Sequence, residues 1–264
     1  MKRIVAGLLA TIGLTLASPT AHAKDVTISS EGEKLRSVYL DSPESTHGVL
    51  LVHSEGRSAK DWGYLGPKLQ RAGFRVLMMN LSKHGANLKE GAAPPTVNDE
   101  DVPRLQQNVA SGLDYLKSKG AVDLAVVGAG LGASLIMQAA ADRVDVTNAV
   151  LLSPAMRLRG MNLSDPVKSY GERPMFIAVS SEDSYSSKTA LVLDTLTTGK
   201  TQLEVLDKAG SGARMLSRDP SLEGLIIAWL VKNRSAFTGE GQEMKPTISA
   251  EEPDVETVGP TLGQ

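Results

Sequence analysis

A chain of 264 residues, 41% of them hydrophobic, is long enough to bury one sizeable core, and α/β folds of this size commonly form a single domain. Its 28 basic and 30 acidic side chains leave a formal net charge of -2, which argues against a nucleic-acid partner or an anionic membrane surface. With no cysteine there is no disulfide framework, thiolate metal site or cysteine nucleophile, so stability must come from packing.

The first expected element is a signal peptide over residues 1–23. Lys2 and Arg3 precede an apolar stretch from Ile4 to Ala17, and Ala21-His22-Ala23 is a small-x-small cleavage site. A membrane anchor is the competing reading, but the stretch falls short of the roughly 18 residues a span needs. The expectation is an exported bacterial product, periplasmic or secreted, with no membrane insertion after cleavage. At the other end, residues 238–264 carry six acids against Lys245 alone, with Pro246, Pro253 and Pro260 and no apolar periodicity. That composition is expected to be a disordered acidic tail, which leaves the domain at 24–237 close to neutral.

Within the domain, strand and helix patterns alternate, which predicts an α/β fold with a mostly parallel sheet covered on both faces. Val26 to Ser29 and Arg36 to Leu40 read as an opening hairpin, Gly48 to His53 as a buried strand, and Trp62 to Ala72 as a helix ending at Gly73. Arg75 to Asn80 is the next strand. A polar, proline-containing loop leads to a long helix from Asp101 to Lys119, whose acidic start and basic end suit its dipole. The strand Leu124 to Val127 and the helix Ala133 to Ala141 follow. Asn148 to Leu152, Met175 to Ser180 and Gln202 to Leu206 are further strands, covered by helices at Ser187 to Thr197 and Leu222 to Asn233. The span Pro154 to Pro174 reads as a surface loop or small flap, with no room for a cap domain.

The most informative stretch is Val126-Val127-Gly128-Ala129-Gly130-Leu131-Gly132-Ala133-Ser134. A short apolar strand turns into an Ala- and Leu-rich helix, with glycines at the places that flank the nucleophile in a Gly-x-Ser-x-Gly elbow. Gly130 stands where that motif has serine. The same residues fit the looser dinucleotide pattern as Gly128-x-Gly130-x-x-Ala133, but the acids that follow, Asp142 and Asp145, come early for a ribose-binding carboxylate.

Taken with Leu51-Val52-His53-Ser54-Glu55-Gly56 after the third strand and Asn80-Leu81-Ser82-Lys83-His84-Gly85 after the fourth, this layout resembles the α/β-hydrolase superfamily, of the small esterase and dienelactone hydrolase kind. The resemblance runs from Asp25 to Asn233 and implies an eight-stranded sheet. It also implies site positions. Ser54 and Glu55, with Leu131, fall at the oxyanion hole, Gly130 at the nucleophile, Asp183 in Ser180-Ser181-Glu182-Asp183 at the acid, and Ser211 in Ala209-Gly210-Ser211-Gly212-Ala213 at the base.

A triad needs a hydroxyl to attack, an imidazole to accept its proton and a carboxylate to orient that imidazole. Only Asp183 keeps its type. Ser134, one helical turn past Gly130, is expected to bond a backbone carbonyl rather than attack. Asp183 is expected to bond Ser211 or water, and Ser211 to fill the base pocket. Glu55 would repel a developing oxyanion unless it points to solvent. His53 and His84 are expected to fix loops, and no spacing of ligands suggests a metal. The expected function is a non-catalytic protein, without cofactor, that binds an unknown small ligand in an open cleft or an unknown protein partner. Two alternatives stand: an active periplasmic esterase with a displaced nucleophile, and a structural role in the cell envelope.

Overall fold

The computed structural model describes residues 23–94 and 96–234. The expected leader, apart from Ala23, and the expected tail lie outside the described residues. In chain order the elements are β1 (Ala23–Ser30), β2 (Glu33–Leu40), β3 (His47–Val52), α1 (Leu65–Arg71), β4 (Arg75–Met79), α2 (Val102–Ser118), β5 (Asp123–Ala129), α3 (Leu131–Ala141) and β6 (Val146–Leu152). They continue as β7 (Arg157–Leu158), β8 (Met161–Asn162), α4 (Ser164–Tyr170), β9 (Met175–Ser180), α5 (Ser184–Leu196), β10 (Thr201–Leu206), α6 (Arg214–Arg218) and α7 (Ser221–Lys232). Ala23 opens β1, paired with Leu40.

Eight strands form one sheet in the order β1-β2-β4-β3-β5-β6-β9-β10. β1 and β2 run antiparallel through a two-residue turn in which Glu31 and Gly32 both have positive φ, the backbone that matches strand twist in a hairpin. β2 is antiparallel to β4, and every later pairing is parallel. The central strands are near-continuous apolar runs because both faces are covered. Their side chains alternate between two cores. Leu50, Val126, Leu151 and Ile177 pack with α2, α3, α4 and α5, whereas Leu51, Val127, Val150 and Phe176 pack with α1, α6 and α7. The chain leaves β3 for β4 on one side and returns to β5 on the other. That reversal opens a crevice beyond the carboxyl ends of the strands.

Two segments differ from the sequence expectation. The helix expected at Trp62 to Ala72 is split into a 3-10 turn, Ala59–Trp62, and α1, with Gly63 ending the first and Pro67 within the first turn of the second. Trp62 is fully buried at that break and anchors it. The span Pro154 to Pro174 is not a surface loop. It holds the β7–β8 hairpin and α4, and Met161, Leu163, Val167 and Tyr170 are buried against the core. Its apolar residues were too widely spaced among charges to show a period, yet they converge because the hairpin folds Met161 and Leu163 inward. The short helix α6 was likewise unmarked in the sequence.

Truncating Leu163 to alanine removes a core side chain, so the unfolding free energy should fall by about 2–5 kcal/mol in denaturant titration. A loop residue on the surface would change it by no more than about 0.5 kcal/mol.

Candidate functional site

Loops after β3, β5, β6, β9 and β10 meet at the crevice. The turn from β5 into α3 is made by Gly130, at φ 52° and ψ -115°. It is held there by its N–H, which donates to the Leu152 carbonyl at 3.0 Å, and by its own carbonyl, which accepts from Ala133 at 3.0 Å. A β-carbon at Gly128 would lie 2.5 Å from the Gly132 carbonyl oxygen. One at Gly132 would lie 2.3 Å from the Val52 oxygen and 2.6 Å from the His53 oxygen. Both glycines are therefore obligatory. At Gly130 the nearest atoms to such a carbon are the Ser54 hydroxyl oxygen, at 3.0 Å, and the Ser54 β-carbon, at 3.4 Å. The centre of the elbow is less crowded: a side chain there would press on the Ser54 side chain, which would have to give by a few tenths of an ångström, on a strained positive-φ backbone. As the first residue of α3, Leu131 has an N–H with no carbonyl a turn earlier in the helix, and it faces the same crevice end.

Asp183 and Ser211 reach the crevice but are not joined. Asp183 is the N-cap of α5, its carboxylate accepting from the Ser186 N–H at 3.1 Å, in place of the expected bond to Ser211. Ser211 is exposed and fills no pocket. Its loop is held by its neighbours: the Ala209 N–H donates to Ser180 at 2.9 Å, the Gly210 N–H to Glu182 at 2.8 Å, and the Gly212 N–H to Ser153 at 2.8 Å. Ser211 and Asp183 line one stretch of an open cleft with Arg214 and Arg218. Ser54, Glu55, Arg57 and Asp61 line the adjoining stretch, again with Ser211 and Arg214.

Glu55 is not the isolated repulsive charge expected. Its carboxylate accepts from both Nε and Nη2 of Arg159, at 3.1–3.3 Å, and from the Val97 N–H at 2.8 Å. Arg159 sits in the β7–β8 turn, which Tyr185 also pins: the Arg157 N–H donates to its hydroxyl oxygen at 3.2 Å. Nearby, Arg57 forms a two-pronged pair with Asp61 at 2.7 and 2.9 Å. Sequence reasoning missed Arg159 and Arg214. The Arg57-Asp61 spacing carried an i,i+4 signal, but nothing in the chain joins position 55 to 159.

Ser134 is fully buried and its hydroxyl has no partner among the described residues, so it neither bonds the expected carbonyl nor reaches the cleft. His53 is also fully buried. Its Nε2 must be unprotonated, because it accepts from the Leu81 N–H at 3.2 Å, and Nδ1 then donates to the Ser54 carbonyl at 2.7 Å. Burial pushes its pKa down to about 4. His84 bonds the Ser82 carbonyl at 2.8 Å, its ring 5.4 Å from that of His53. Both histidines fix loops beneath the cleft. His47 lies beside Asp123, at the opposite end of the sheet. Asp145 also lies there, just before β6 and paired with Arg143 and Lys117, on the wrong side of the sheet for a ribose-binding acid. Among the described residues, no group of three or more His, Cys, Asp or Glu could hold a metal ion, and no helix is long and apolar enough to cross a membrane.

Residues 49–242 match the model of the Alpha/beta hydrolase family. Among curated proteins, none matches the chain. Several solved structures share its fold. A dienelactone hydrolase from Anabaena variabilis is 17% identical with a TM-score of 0.66, covering 81% of this chain and 98% of its own. The esterase Pf2001 from Pyrococcus furiosus is 16% identical with a TM-score of 0.63, covering 88% and 96%. Est1E from Butyrivibrio proteoclasticus, in a structure with ferulic acid bound, is 14% identical with a TM-score of 0.65, covering 79% and 98%. Identities this low speak to the fold.

Two expectations follow. Gly132→Ala should drive its methyl group into two carbonyls and prevent folding or cost several kcal/mol, whereas Gly130→Ser should fold with a loss of about 1–3 kcal/mol from the positive φ, both read by thermal or chemical unfolding. For His53, the folded pKa of about 4 lies below the ordinary 6.5. Between those values the unfolded state binds a proton that the native state refuses. The stability this group contributes is thus whole above pH 6.5 and is lost as pH falls toward 4, by about 3 kcal/mol. NMR should find the His53 ring neutral at pH 5, and a His53 resonance titrating near 6.5 would contradict this.

Proposed function

Because the chain belongs to the Alpha/beta hydrolase family, we propose that it is a hydrolase-fold protein without serine-hydrolase catalysis, which binds a small ligand in the cleft at the carboxyl end of the sheet. The reading rests on one observation: the elbow has glycine at its centre, and no histidine among the described residues lines the cleft beside it. Loss of the nucleophile or of the base alone costs a comparable triad on the order of a millionfold in rate. Asp183, capping α5, has a structural task that survives without catalysis. The sequence of residues 1–23 supports export to the periplasm or beyond, and the near-neutral domain supports neither nucleic acid nor membrane as partner.

A second reading, an esterase with a displaced nucleophile, is favoured by the Ser54 hydroxyl, 3.0 Å from the point where a β-carbon at position 130 would stand. It lacks a base, since the nearest imidazole in sequence, His53, has both ring nitrogens engaged. Incubation with a fluorophosphonate probe and with short-chain p-nitrophenyl esters separates the two. The expected result is no covalent adduct by intact mass and no turnover above buffer. Stoichiometric labelling, mapped to Ser54 or any other serine, would overturn the non-catalytic reading.

A further inference from the structure

We infer that the cleft between the loops after β3 and β10 is a receptor for a small monocarboxylate, held by the Arg214 guanidinium with the hydroxyls of Ser54 and Ser211. The inference rests on the non-catalytic reading above and names its ligand class. The cleft encloses about 200 Å³ and is lined by Ser54, Glu55, Arg57, Asp61, Ser211 and Arg214, with Ala213. Ion pairing around it leaves one lining cation without a carboxylate, and one carboxylate, Asp183, that is met by a backbone N–H instead. Arg57 is committed to Asp61, and Glu55 to Arg159. Glu182 takes the Gly210 N–H and Arg218, while Asp183 caps α5. Arg214 has no ion-pair partner among the described residues, and neither the Ser54 nor the Ser211 hydroxyl makes a hydrogen bond within them, although all three line one cavity. A planar guanidinium and two hydroxyl donors match the two oxygens of a carboxylate.

The surroundings also select the charge of the ligand. Four carboxylates, at Glu55, Asp61, Glu182 and Asp183, line the joined cleft. A single negative charge answers Arg214, while a second would face those carboxylates with no further unpaired cation lining the cleft to offset it. A neutral ester gives the guanidinium no charge to pair with. Because Arg214 is exposed, solvent screens the pair, and a dissociation constant on the order of 1 mM is expected.

The test titrates the full-length protein with benzoate, methyl benzoate and inorganic phosphate, followed by amide NMR. Benzoate should give saturable shifts centred on Ser54, Ser211 and Arg214, and should bind at least tenfold more tightly than methyl benzoate or phosphate. Arg214→Gln should weaken benzoate at least tenfold without moving the unfolding midpoint. Lys60→Gln, which removes a charge from the neighbouring surface near Arg214, should leave benzoate binding within twofold. Equal binding of the ester, tighter binding of phosphate, no saturable shift, or an unaffected Arg214→Gln variant would each overturn the assignment. The fluorophosphonate result decides the non-catalytic reading on its own: labelled protein that still holds benzoate through Arg214 overturns that reading alone, and unlabelled protein that ignores benzoate overturns only the carboxylate site.

Discussion

The site depends on a contact between two stretches of backbone. The start of α3 passes so close to the end of β3 that Gly132 lies directly beneath the carbonyls of Val52 and His53. Only glycine permits that approach, and Gly128 meets the same limit from the strand side. The contact brings the first turn of α3 and the loop from Ser54 onward to the same point. It also fixes where the centre of the elbow must be, whatever residue stands there. The loop after β10 then closes on this pair, because the Gly212 N–H reaches Ser153 at the end of β6. The geometry of the elbow is thus set by backbone packing, independent of the side chain at its centre.

The charges around that frame are paired across distant segments. A carboxylate at position 55 would be costly beside a developing negative charge, yet here it is a junction. Glu55 gathers the β3 loop, the long loop through Val97 and the β7–β8 turn through Arg159. Three segments distant in sequence are thereby tied at one side chain, at the rim of the cleft. Arg57 with Asp61, and Arg218 with Glu182, repeat the arrangement on a smaller scale. The result is a cleft whose walls are charged but largely self-compensated.

Much of the architecture was legible in the chain. Apolar runs marked β3, β5, β6 and β9, because strands buried on both faces leave a near-continuous signal. The elbow was legible because its glycines keep a fixed spacing between an apolar strand and a helix, although the contacts that require Gly132 come from Val52 and His53 in β3 and its loop. What stayed hidden was set by distant contacts. Leu163 and Tyr170 gave no period, and α4 became visible only where α3 and α5 bury it. Glu55 read as repulsive because its partner lies 104 residues away. Asp183 was found at its position, but its role as a cap depended on where α5 begins, at Ser184 rather than Ser187. Arg214 falls in a five-residue helix that no capping or periodic pattern announced.

The conformation of Gly130 bears on what can stand at the centre of the elbow. At φ 52° a serine holds a strained backbone that is worth keeping only while its hydroxyl does chemistry. Folding stability by itself favours glycine at that point. Position 211 carries no such strain: its loop is held by the N–H groups of residues 209, 210 and 212, which leaves the Ser211 hydroxyl free to meet a ligand. Backbone strain thus constrains what can stand at position 130 and places no such constraint on position 211, whose loop its neighbours hold.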